Sequence, residues 1–478
     1  MKHHPLSKRL GLFLGPILFI TIQLLPFELI SPQADTVIAI AIWMVLWWIT
    51  EAVSISVTSL LPLLLFPLFK VMPIADVGAN YGSPIVFLFF GGFVLALALE
   101  KVNLHKRIAL TIIKITGTTP NKVILGFMLA TAFMSMWISN TASTVVMLPI
   151  AMSVINLLID DKDGFTKKDQ NFALSVMLGI AFSANAGGIA TVIGTPPNSV
   201  LIGLLENEYN IEISFVNWMI IGVPFSAALI AIIYFVLIKL FPNKGLVFDA
   251  SKTVIEDELS QLGKINSKEK QVLWTFAVIV SLWVFRSIIN SIFPQLGLTD
   301  TMISILGAIA LFTIPHNLKK GDFILEWKDT HKLAWGILIL FGGGLALAKG
   351  MSSSGIVDIV ANTISNSDIS VLVTASLLII LMLFMTELMS NVALTAVLAP
   401  VVAGIAIGLE IPILYLLIPV TMASSCAFML PMATPPNAIV FASGFIKVHQ
   451  MAKVGILLNC IAIALLILMF QFVIPLIF

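Results

Sequence analysis

Long apolar runs alternate with short polar connections along the whole chain. A transmembrane helix needs about 20 apolar residues at about 1.5 Å each. The apolar segments span 10–29, 36–50, 53–69, 84–117, 122–159, 172–203, 215–241, 271–293, 301–315, 334–365, 370–408, 411–446 and 451–478. This pattern predicts an all-α polytopic membrane protein. The first run is not followed by a small-residue cleavage pattern, so we expect a retained helix rather than a signal peptide.

Basic residues are concentrated in only some of the connections, and this distribution predicts orientation. The clusters contain Lys2, Lys8 and Arg9; Lys162, Lys167 and Lys168; Lys244, Lys252, Lys264, Lys268 and Lys270; Lys319, Lys320, Lys328 and Lys332; and Lys447 and Lys453. The connections 294–300, 366–369 and 409–410 contain no Lys or Arg. Because basic connections face the cytoplasm, we expect a cytoplasmic N-terminus and an extracytoplasmic C-terminus in the cell (inner) membrane.

Two of the apolar segments cannot be single crossings if basic connections face the cytoplasm. Segment 122–159 has basic connections at both ends, and segment 370–408 has lysine-free connections at both ends. Each is long enough for two half-length helices. We therefore predict two re-entrant hairpins, one from each side, and about eleven transmembrane helices. Ser139-Asn140-Thr141 falls at the tip of the first hairpin.

Several motifs occur twice in the same order, which indicates an internal repeat. At an offset of 251 residues, Phe90-Gly91-Gly92 matches Phe341-Gly342-Gly343, Ser135 matches Thr386, Ser139-Asn140 matches Ser390-Asn391, and Pro149 matches Pro400. At an offset of 239, Thr195-Pro196-Pro197-Asn198 matches Thr434-Pro435-Pro436-Asn437. Apart from the first helix, each half holds five crossings, an odd number, so the halves are predicted to be inverted. Inverted repeats are typical of secondary transporters.

Helix-breaking residues lie inside one crossing of each half. Gly187-Gly188 and Pro196-Pro197 interrupt 172–203, and Pro431 and Pro435-Pro436 interrupt 411–446. Proline removes a backbone donor and clashes with the preceding turn. Non-helical backbone at membrane depth is tolerated where it lines a cavity. We therefore expect each half to bring a hairpin tip and an unwound crossing to a polar cavity near the midplane.

The residues near these breaks are polar but uncharged. The chain contains three arginines, Arg9, Arg107 and Arg286, and none is close to the motifs in sequence. The available donors are the amides of Asn140 and Asn391, the Thr141 hydroxyl and the backbone N–H groups of half-helix N-termini, which suit anions. The hydroxyls of Ser135, Ser139 and Thr386, with the Asn and backbone carbonyls, suit a hard monovalent cation. A cation beside an anion lowers the cost of holding both, which favours coupled transport.

Composition and residue usage argue against other functions. The chain is 59% hydrophobic and 11% charged with a net charge of +1, so nothing indicates nucleic-acid binding. The histidines, His3, His4, His105, His316, His331 and His449, lie in or near polar connections and form no intramembrane protease motif. Cys426 and Cys460 are too few for a disulfide framework or a zinc site, and we expect buried bystander thiols. A channel remains an alternative that a measurement of coupling would distinguish.

The duplicated Ser-Asn tips and Thr-Pro-Pro-Asn segments, together with "WWITEAVSISVTSLLPLLLFP" and "WGILILFGGGLALAKG", resemble the divalent anion/sodium symporter (DASS) family. This family includes the INDY-type dicarboxylate and citrate transporters. The resemblance implies a homodimer that works as an elevator. It divides the chain into scaffold parts at 1–117 and 215–365, the latter with a cytoplasmic loop at 242–270, and transport parts at 118–214 and 366–478.

The resemblance also implies the ligand sets. The first sodium site matches Ser135, Ser139, Asn140 and the backbone of Gly188, and the second matches Thr386, Asn391 and the backbone of Met389 and Ala427. The predicted substrate site comprises Asn140, Thr141, Asn391 and Val392, with the steps Thr195-Pro196 and Thr434-Pro435. Val392 departs from the family pattern, which has a second Thr there. One hydroxyl donor is therefore lost, which leaves the choice of anion open.

The function expected from these features is sodium-coupled symport of C4-dicarboxylates such as succinate, malate and fumarate, with no enzymatic activity. Na⁺ is the expected coupled ion, and the expected partners are the dicarboxylate substrate, the lipid bilayer and a second copy of the chain. Citrate or sulfate symport and sodium-independent dicarboxylate exchange are the alternatives.

Overall fold

The computed structural model describes residues 6–24, 30–117, 119–159, 165–243, 249–317, 321–366 and 369–477. Within these ranges, seven helical stretches are long and apolar enough to cross a bilayer. Shorter apolar helices accompany them, such as Val371–Thr386 and Ile413–Ser424. The coarse prediction of a helical, polytopic membrane protein is therefore confirmed.

The helices of the N-terminal half are α1 (Leu6–Leu24), α2 (Pro32–Thr50), α3 (Ile55–Thr58), α4 (Leu61–Leu68), α5 (Ile74–Tyr81), α6 (Pro84–Lys101), α7 (Leu104–Thr116), α8 (Pro120–Ser135), α9 (Asn140–Ile159), α10 (Lys167–Gly188), α11 (Pro196–Tyr209) and α12 (Phe215–Leu240). After α13 (Asp249–Gln261), the C-terminal half contains α14 (Ser267–Ile292), α15 (Asp300–Thr313), α16 (Trp335–Ser353), α17 (Ile356–Ser365), α18 (Val371–Thr386), α19 (Asn391–Gly408), α20 (Ile413–Ser424), α21 (Pro435–Phe441), α22 (Val448–Leu468) and α23 (Ile474–Ile477). Short 3₁₀ helices span Pro294–Leu296 and Trp327–Lys332, and a π-helical turn spans Met469–Val473.

Both predicted hairpins consist of two helices joined by a short turn. In the first, α8 ends at Ser135 and α9 begins at Asn140. In the second, α18 ends at Thr386 and α19 begins at Asn391. The serine before each second helix caps it: Ser139 Oγ accepts from the Ala142 N–H at 3.2 Å, and Ser390 Oγ accepts from the Ala393 N–H at 3.5 Å. The Ser-Asn pairs therefore start helices, as N-cap residues do.

Both predicted interrupted crossings are broken where the glycines and prolines lie. Helix α10 ends at Gly188 and α11 begins at Pro196. Helix α20 ends at Ser424 and α21 begins at Pro435. Proline is favoured at the first helical position because the N–H that it lacks has no partner within the helix. The breaks are confirmed; the re-entrant path and the number of crossings stay predictions.

Three segments predicted as single crossings are each divided into two helices. Segment 84–117 breaks at Asn103 (φ 57°) and segment 334–365 at Gly355 (φ 80°). One residue with left-handed backbone is enough to end a helix. Mean hydropathy over an apolar segment does not detect such a residue. Segment 53–69 divides between α3 and α4, where Pro62 lies in the first turn of α4. Proline there disfavours a continuous helix.

The polar connections hold structure that the sequence did not predict. The stretch 242–270 contains α13, which contacts α7 and α9. In 316–332, the antiparallel strands β1 (Pro315–Asn317) and β2 (Asp322–Phe323) form a small hairpin, so the all-α expectation was slightly wrong. Several residues of the predicted basic clusters and of the histidine set lie outside the described residues: Lys2, Lys162, Lys244, Lys319, Lys320, His3 and His4.

The duplicated Phe-Gly-Gly motifs are sites of close helix packing. A Cβ on Gly91 in α6 would lie 2.7 Å from the backbone oxygen of Ser304 in α15. A Cβ on Gly343 in α16 would overlap the Ser59 carbonyl after α3. The absence of a side chain lets the backbones approach, as small residues do between membrane helices.

Arg107 of α7 joins that helix to the connection after α13. Its Nη1 donates to the Gly263 carbonyl oxygen at 2.9 Å, and its Nη2 donates to the Leu262 carbonyl oxygen at 3.1 Å. The guanidinium also pairs with the carboxylate of Glu269, whose side chain is only 4% exposed. A paired and hydrogen-bonded guanidinium of this kind orders the polar connection over α7.

We expect Arg107→Ala to destabilise the protein by roughly 3 kcal/mol, because the buried Glu269 carboxylate would lose its countercharge. Lys114→Ala is the matched control, since the Lys114–Glu256 pair is 3.6 Å apart and half exposed, and removal of such a pair costs less than about 1 kcal/mol. The thermal unfolding midpoint of purified protein in detergent measures both. Equal midpoints for the two variants would contradict a stabilising role of Arg107.

Candidate substrate and cation site

A cavity of about 790 Å³ lies where the two hairpin tips and the two broken crossings meet. Its lining includes every residue that the sequence predicted for the substrate site: Asn140, Thr141, Thr195, Pro196, Asn391, Val392, Thr434 and Pro435. Ser139 and Met389 of the predicted cation sites also line it. The fold therefore brings together motifs that are almost 300 residues apart.

The cavity wall carries little charge. Among the lining residues that the structure describes, Lys8 and Glu51 are the charged ones, and they pair with each other at 3.2 Å. Both are partly or largely exposed at the mouth, where side-chain exposure is 35% for Lys8 and 67% for Glu51. An ion that enters the cavity therefore meets neutral polar groups and the ends of helices.

Helices of the hairpins and the first broken crossing begin at the cavity. They are α9, α11 and α19, whose first residues Asn140, Pro196 and Asn391 all line it. The first turn of a helix has N–H groups without intrahelical partners and a partial positive charge. Three such termini at one cavity favour an anion without an arginine side chain.

Oxygen atoms of the first half gather behind the tip at Asn140. The Ser135 hydroxyl donates to the Ala184 carbonyl oxygen at 2.7 Å and contacts the Asn140 amide. With its nitrogen inward, the Asn140 amide donates to the carbonyl oxygens of Ala184 and Gly194, each at 3.2 Å. Three acceptor oxygens, those of the Ser135 hydroxyl and of the Ala184 and Gly194 carbonyls, thus surround the end of the Asn140 side chain. We call Ser135, Asn140, Ala184 and Gly194 the first oxygen cluster. Gly188 lies against the same amide.

The second half repeats this arrangement in part. The Thr386 hydroxyl donates to the Ser424 carbonyl oxygen at 2.7 Å, as Ser135 does to Ala184. Asn391 Oδ1 accepts from the Val392 N–H at 2.9 Å. The Ala427 carbonyl oxygen accepts from Asn437 Nδ2 at 3.1 Å and lies 3.2 Å from Asn185 Nδ2. We call Thr386, Ser424, Asn391 and Ala427 the second oxygen cluster. The Ala427 oxygen thus has amide partners from both halves of the chain.

Asn198 and Asn437, which close the duplicated Thr-Pro-Pro-Asn motif, satisfy the unwound backbone. Asn198 Nδ2 donates to the Thr191 carbonyl oxygen at 2.8 Å. Asn437 Nδ2 donates to the Leu430 carbonyl oxygen at 3.1 Å. Both asparagines are fully buried. The repeat marked these two positions, but the sequence alone did not assign this role to them.

Glu387 binds the unwound backbone after α20. Its carboxylate accepts hydrogen bonds from the N–H groups of Phe428 (2.8 Å), Met429 (2.9 Å) and Leu430 (3.0 Å). The Asn459 amide donates to the same carboxylate at 2.8 Å. With 3% exposure, Glu387 is a buried charge that is fully hydrogen-bonded. These contacts give Glu387 a structural role.

The arginines and cysteines, for which the sequence predicted no role in binding, do not line the cavity. Arg107 pairs with Glu269, and Arg286 pairs with Glu212 at 2.8 Å and Asp300 at 3.3 Å. Cys426 is buried as expected, but Cys460 is exposed on α22. A transmembrane helix has a face on the outside of the protein, so a position within an apolar segment does not imply burial inside the protein.

Comparison with known proteins identifies the family. The profile described as the sodium:sulfate symporter transmembrane region matches residues 6–478. The chain belongs to this family. The resemblance to divalent anion/sodium symporters is thereby confirmed.

Two relatives bear the name sodium-dependent dicarboxylate transporter SdcS. The protein of Staphylococcus saprophyticus is 39% identical over 481 residues, which cover 99% of this chain and 93% of the relative. The protein of Staphylococcus aureus strain USA300 is 39% identical over 485 residues, which cover 100% of this chain and 93% of the relative.

Two solved transporter structures share the fold. The YdaH transporter of Alcanivorax borkumensis has a TM-score of 0.61 at 12% identity and covers 99% of both chains. Neisseria gonorrhoeae MtrF has a TM-score of 0.54 at 14% identity, with 98% of this chain and 95% of that chain covered. At such identities the likeness concerns the fold alone.

We expect Glu387→Gln to destabilise the protein by roughly 2 kcal/mol, because an amide NH₂ would face a backbone N–H that now donates to the carboxylate. Glu51→Gln is the control carboxylate: it is exposed and ion-paired, and its loss costs less than about 1 kcal/mol. Thermal unfolding in detergent compares them. An unchanged midpoint for Glu387→Gln would show that the carboxylate does not hold the unwound backbone.

Proposed function

We propose that this protein is a sodium-coupled symporter that imports C4-dicarboxylates such as succinate, malate and fumarate. The observation that carries the proposal is a single cavity onto which three half-helix N-termini open and behind which neutral oxygen atoms cluster. The family and the named relatives are transporters, and the proposal includes no enzymatic step.

The anion would bind through neutral donors. Asn140 and Thr141 on one tip and Asn391 on the other face the cavity from opposite halves, which suits a molecule with a carboxylate at each end. The N-termini of α9 and α19 favour negative charge on both sides. Thr195 and Thr434, at the starts of α11 and α21, would complete the wall.

Sodium would bind behind the anion. In the first oxygen cluster, the Asn140 side chain lies among the Ser135 hydroxyl and the Ala184 and Gly194 carbonyl oxygens, a donor set of the kind that hard cations prefer. We propose Ser135, Ser139, Asn140 and the Gly188 backbone for the first site. Thr386, Asn391 and the backbone of Met389 and Ala427 are proposed for the second.

A dicarboxylate is favoured over the other anions by the relatives. Proteins that share 39% identity over nearly the whole chain carry the name of a sodium-dependent dicarboxylate transporter. The family description names sulfate, and citrate carries carboxylates as succinate does, so both remain alternative substrates. A panel of competitors against labelled succinate separates these anions.

Transport would occur by an elevator movement. Helix α9 contacts α21, and α11 contacts α19, so the hairpins and broken crossings of both halves pack together. We propose that 118–214 and 366–478 move as this unit against the remaining helices in a homodimer. The cavity mouth at Lys8 would face the cytoplasm, because Lys8 belongs to a basic cluster.

Purified protein in liposomes is expected to take up labelled succinate only with an inward sodium gradient, because the oxygen clusters need a cation to offset the dianion. Replacement of sodium by choline provides the control. Undiminished uptake in choline would contradict sodium coupling, and current without stoichiometric coupling at a set membrane potential would indicate a channel.

Asn140→Ala and Asn391→Ala are each expected to reduce uptake to background, since each amide serves both the anion and a cation. Size-exclusion chromatography should show an unchanged assembly state, because the tips lie at the cavity. Near-normal uptake in both variants would exclude the tips from the mechanism.

Val392→Thr tests the asymmetry between the tips. We expect altered substrate preference without loss of folding, because the hydroxyl would add a donor at a cavity-lining position that is 7% exposed. Uptake of succinate, citrate and sulfate by the variant and the unmodified protein measures the change. Identical preferences would show that position 392 does not select the anion.

A further inference from the structure

Asn185 of α10 connects the two halves at the cavity. Its Nδ2 lies 3.2 Å from the Ala427 carbonyl oxygen, 3.1 Å from Thr434 Oγ1 and 3.3 Å from Asn437 Oδ1, all in the second half. The residue is 1% exposed, and it belongs to the cavity lining. No sequence motif marked this position.

The contacts determine how the Asn185 amide is oriented. A carbonyl oxygen such as that of Ala427 can only accept, so the amide nitrogen must face it. The Asn185 Oδ1 atom is therefore turned away, and it has no hydrogen-bond partner among the described residues. Asn185 is therefore fixed in the orientation in which its amide nitrogen binds the second half.

The preceding residue belongs to the other cation cluster. The Ala184 carbonyl oxygen accepts from the Ser135 hydroxyl at 2.7 Å and lies beside the Asn140 amide. Consecutive residues of one helix thus bind the first oxygen cluster through a main-chain carbonyl and the second through a side-chain amide. A shift of the backbone at Ala184 necessarily moves the Asn185 side chain.

The second half has no equivalent connection. The Ala184 and Ser424 carbonyl oxygens are equivalent, since they accept from the equivalent hydroxyls of Ser135 and Thr386, so Asn185 corresponds to Ser425. The Ser425 hydroxyl has no hydrogen-bond partner among the described residues. The contact between the halves is therefore not a consequence of the repeated architecture and belongs to this position.

We infer that Asn185 is a positioning residue that couples the two cation sites. When a cation binds at the first site, it draws in the Ser135 oxygen, and the Ala184 carbonyl that accepts from this hydroxyl moves with it. Asn185 then adjusts the Ala427 carbonyl and Thr434 at the second site. By linkage, the second cation raises affinity at the first by the same factor. This inference rests on the proposed function, because it assumes that sodium binds at both clusters.

The test measures initial uptake of labelled succinate into proteoliposomes as sodium is varied against choline. We expect a Hill coefficient of about 2 for the unmodified protein and about 1 for Asn185→Ala, with half-saturating sodium raised roughly 5-fold. Uptake at saturating sodium is expected to persist. Ser183→Ala is the matched control: it removes a buried hydroxyl without a hydrogen-bond partner two residues away, and it should leave the Hill coefficient unchanged.

A purely structural role of Asn185 would lower the thermal midpoint without changing the Hill coefficient. If Asn185→Ala is not produced as folded protein, Asn185→Ser takes its place, because serine is the residue of the second half at the equivalent position, Ser425, and the same fall in the Hill coefficient is expected. Sodium titration of its thermal midpoint measures binding without transport. An unchanged Hill coefficient in the folded variant contradicts the coupling alone. Sodium-independent uptake by the unmodified protein contradicts the proposed function.

Discussion

The structure depends on how backbone polar groups are satisfied at the four helix interruptions around the cavity. Within a membrane, unpaired N–H and C=O groups are costly, so an unwound segment needs partners from elsewhere. Asn198 and Asn437 bind carbonyl oxygens of the two broken crossings. Thr191 Oγ1 donates to the Met136 carbonyl oxygen at 2.6 Å, and Glu387 accepts three N–H groups of the other break. These bonds hold open the breaks that the cavity requires.

The breaks provide the electrostatic properties of the site. Half-helix N-termini supply partial positive charge, and the carbonyls of interrupted segments supply oxygen atoms, so neither an arginine nor an acidic residue has to be buried at the cavity floor. A neutral site does not retain either ion strongly on its own. A cation and a dianion that enter together lower each other's desolvation cost, which is the physical basis for coupling.

The two halves share backbone architecture but differ in side chains. Thr141 on one tip corresponds to Val392 on the other, and Met136 corresponds to Glu387. The first break is satisfied by neutral groups, whereas the second uses a buried carboxylate supported by Asn459. Because a repeat preserves helices and breaks while single residues diverge, the two cation clusters are chemically unequal, and one residue, Asn185, reaches across between them.

The sequence by itself predicted the paired helices of the hairpins, the broken crossings and the motif residues of the cavity wall. The helix ends follow from local signals, namely serine caps, prolines at first helical turns and motifs that occur twice, and the family resemblance supplied the substrate-site set. The sequence did not predict the helix divisions at Asn103 and Gly355, because mean hydropathy does not detect a single left-handed residue. It also did not predict helix α13, because that helix lies in a polar stretch. Only the tertiary structure decided the partners of Glu387 and Asn185. Those partners lie on other helices, and whether a buried polar group is satisfied depends on which backbone the packing places beside it.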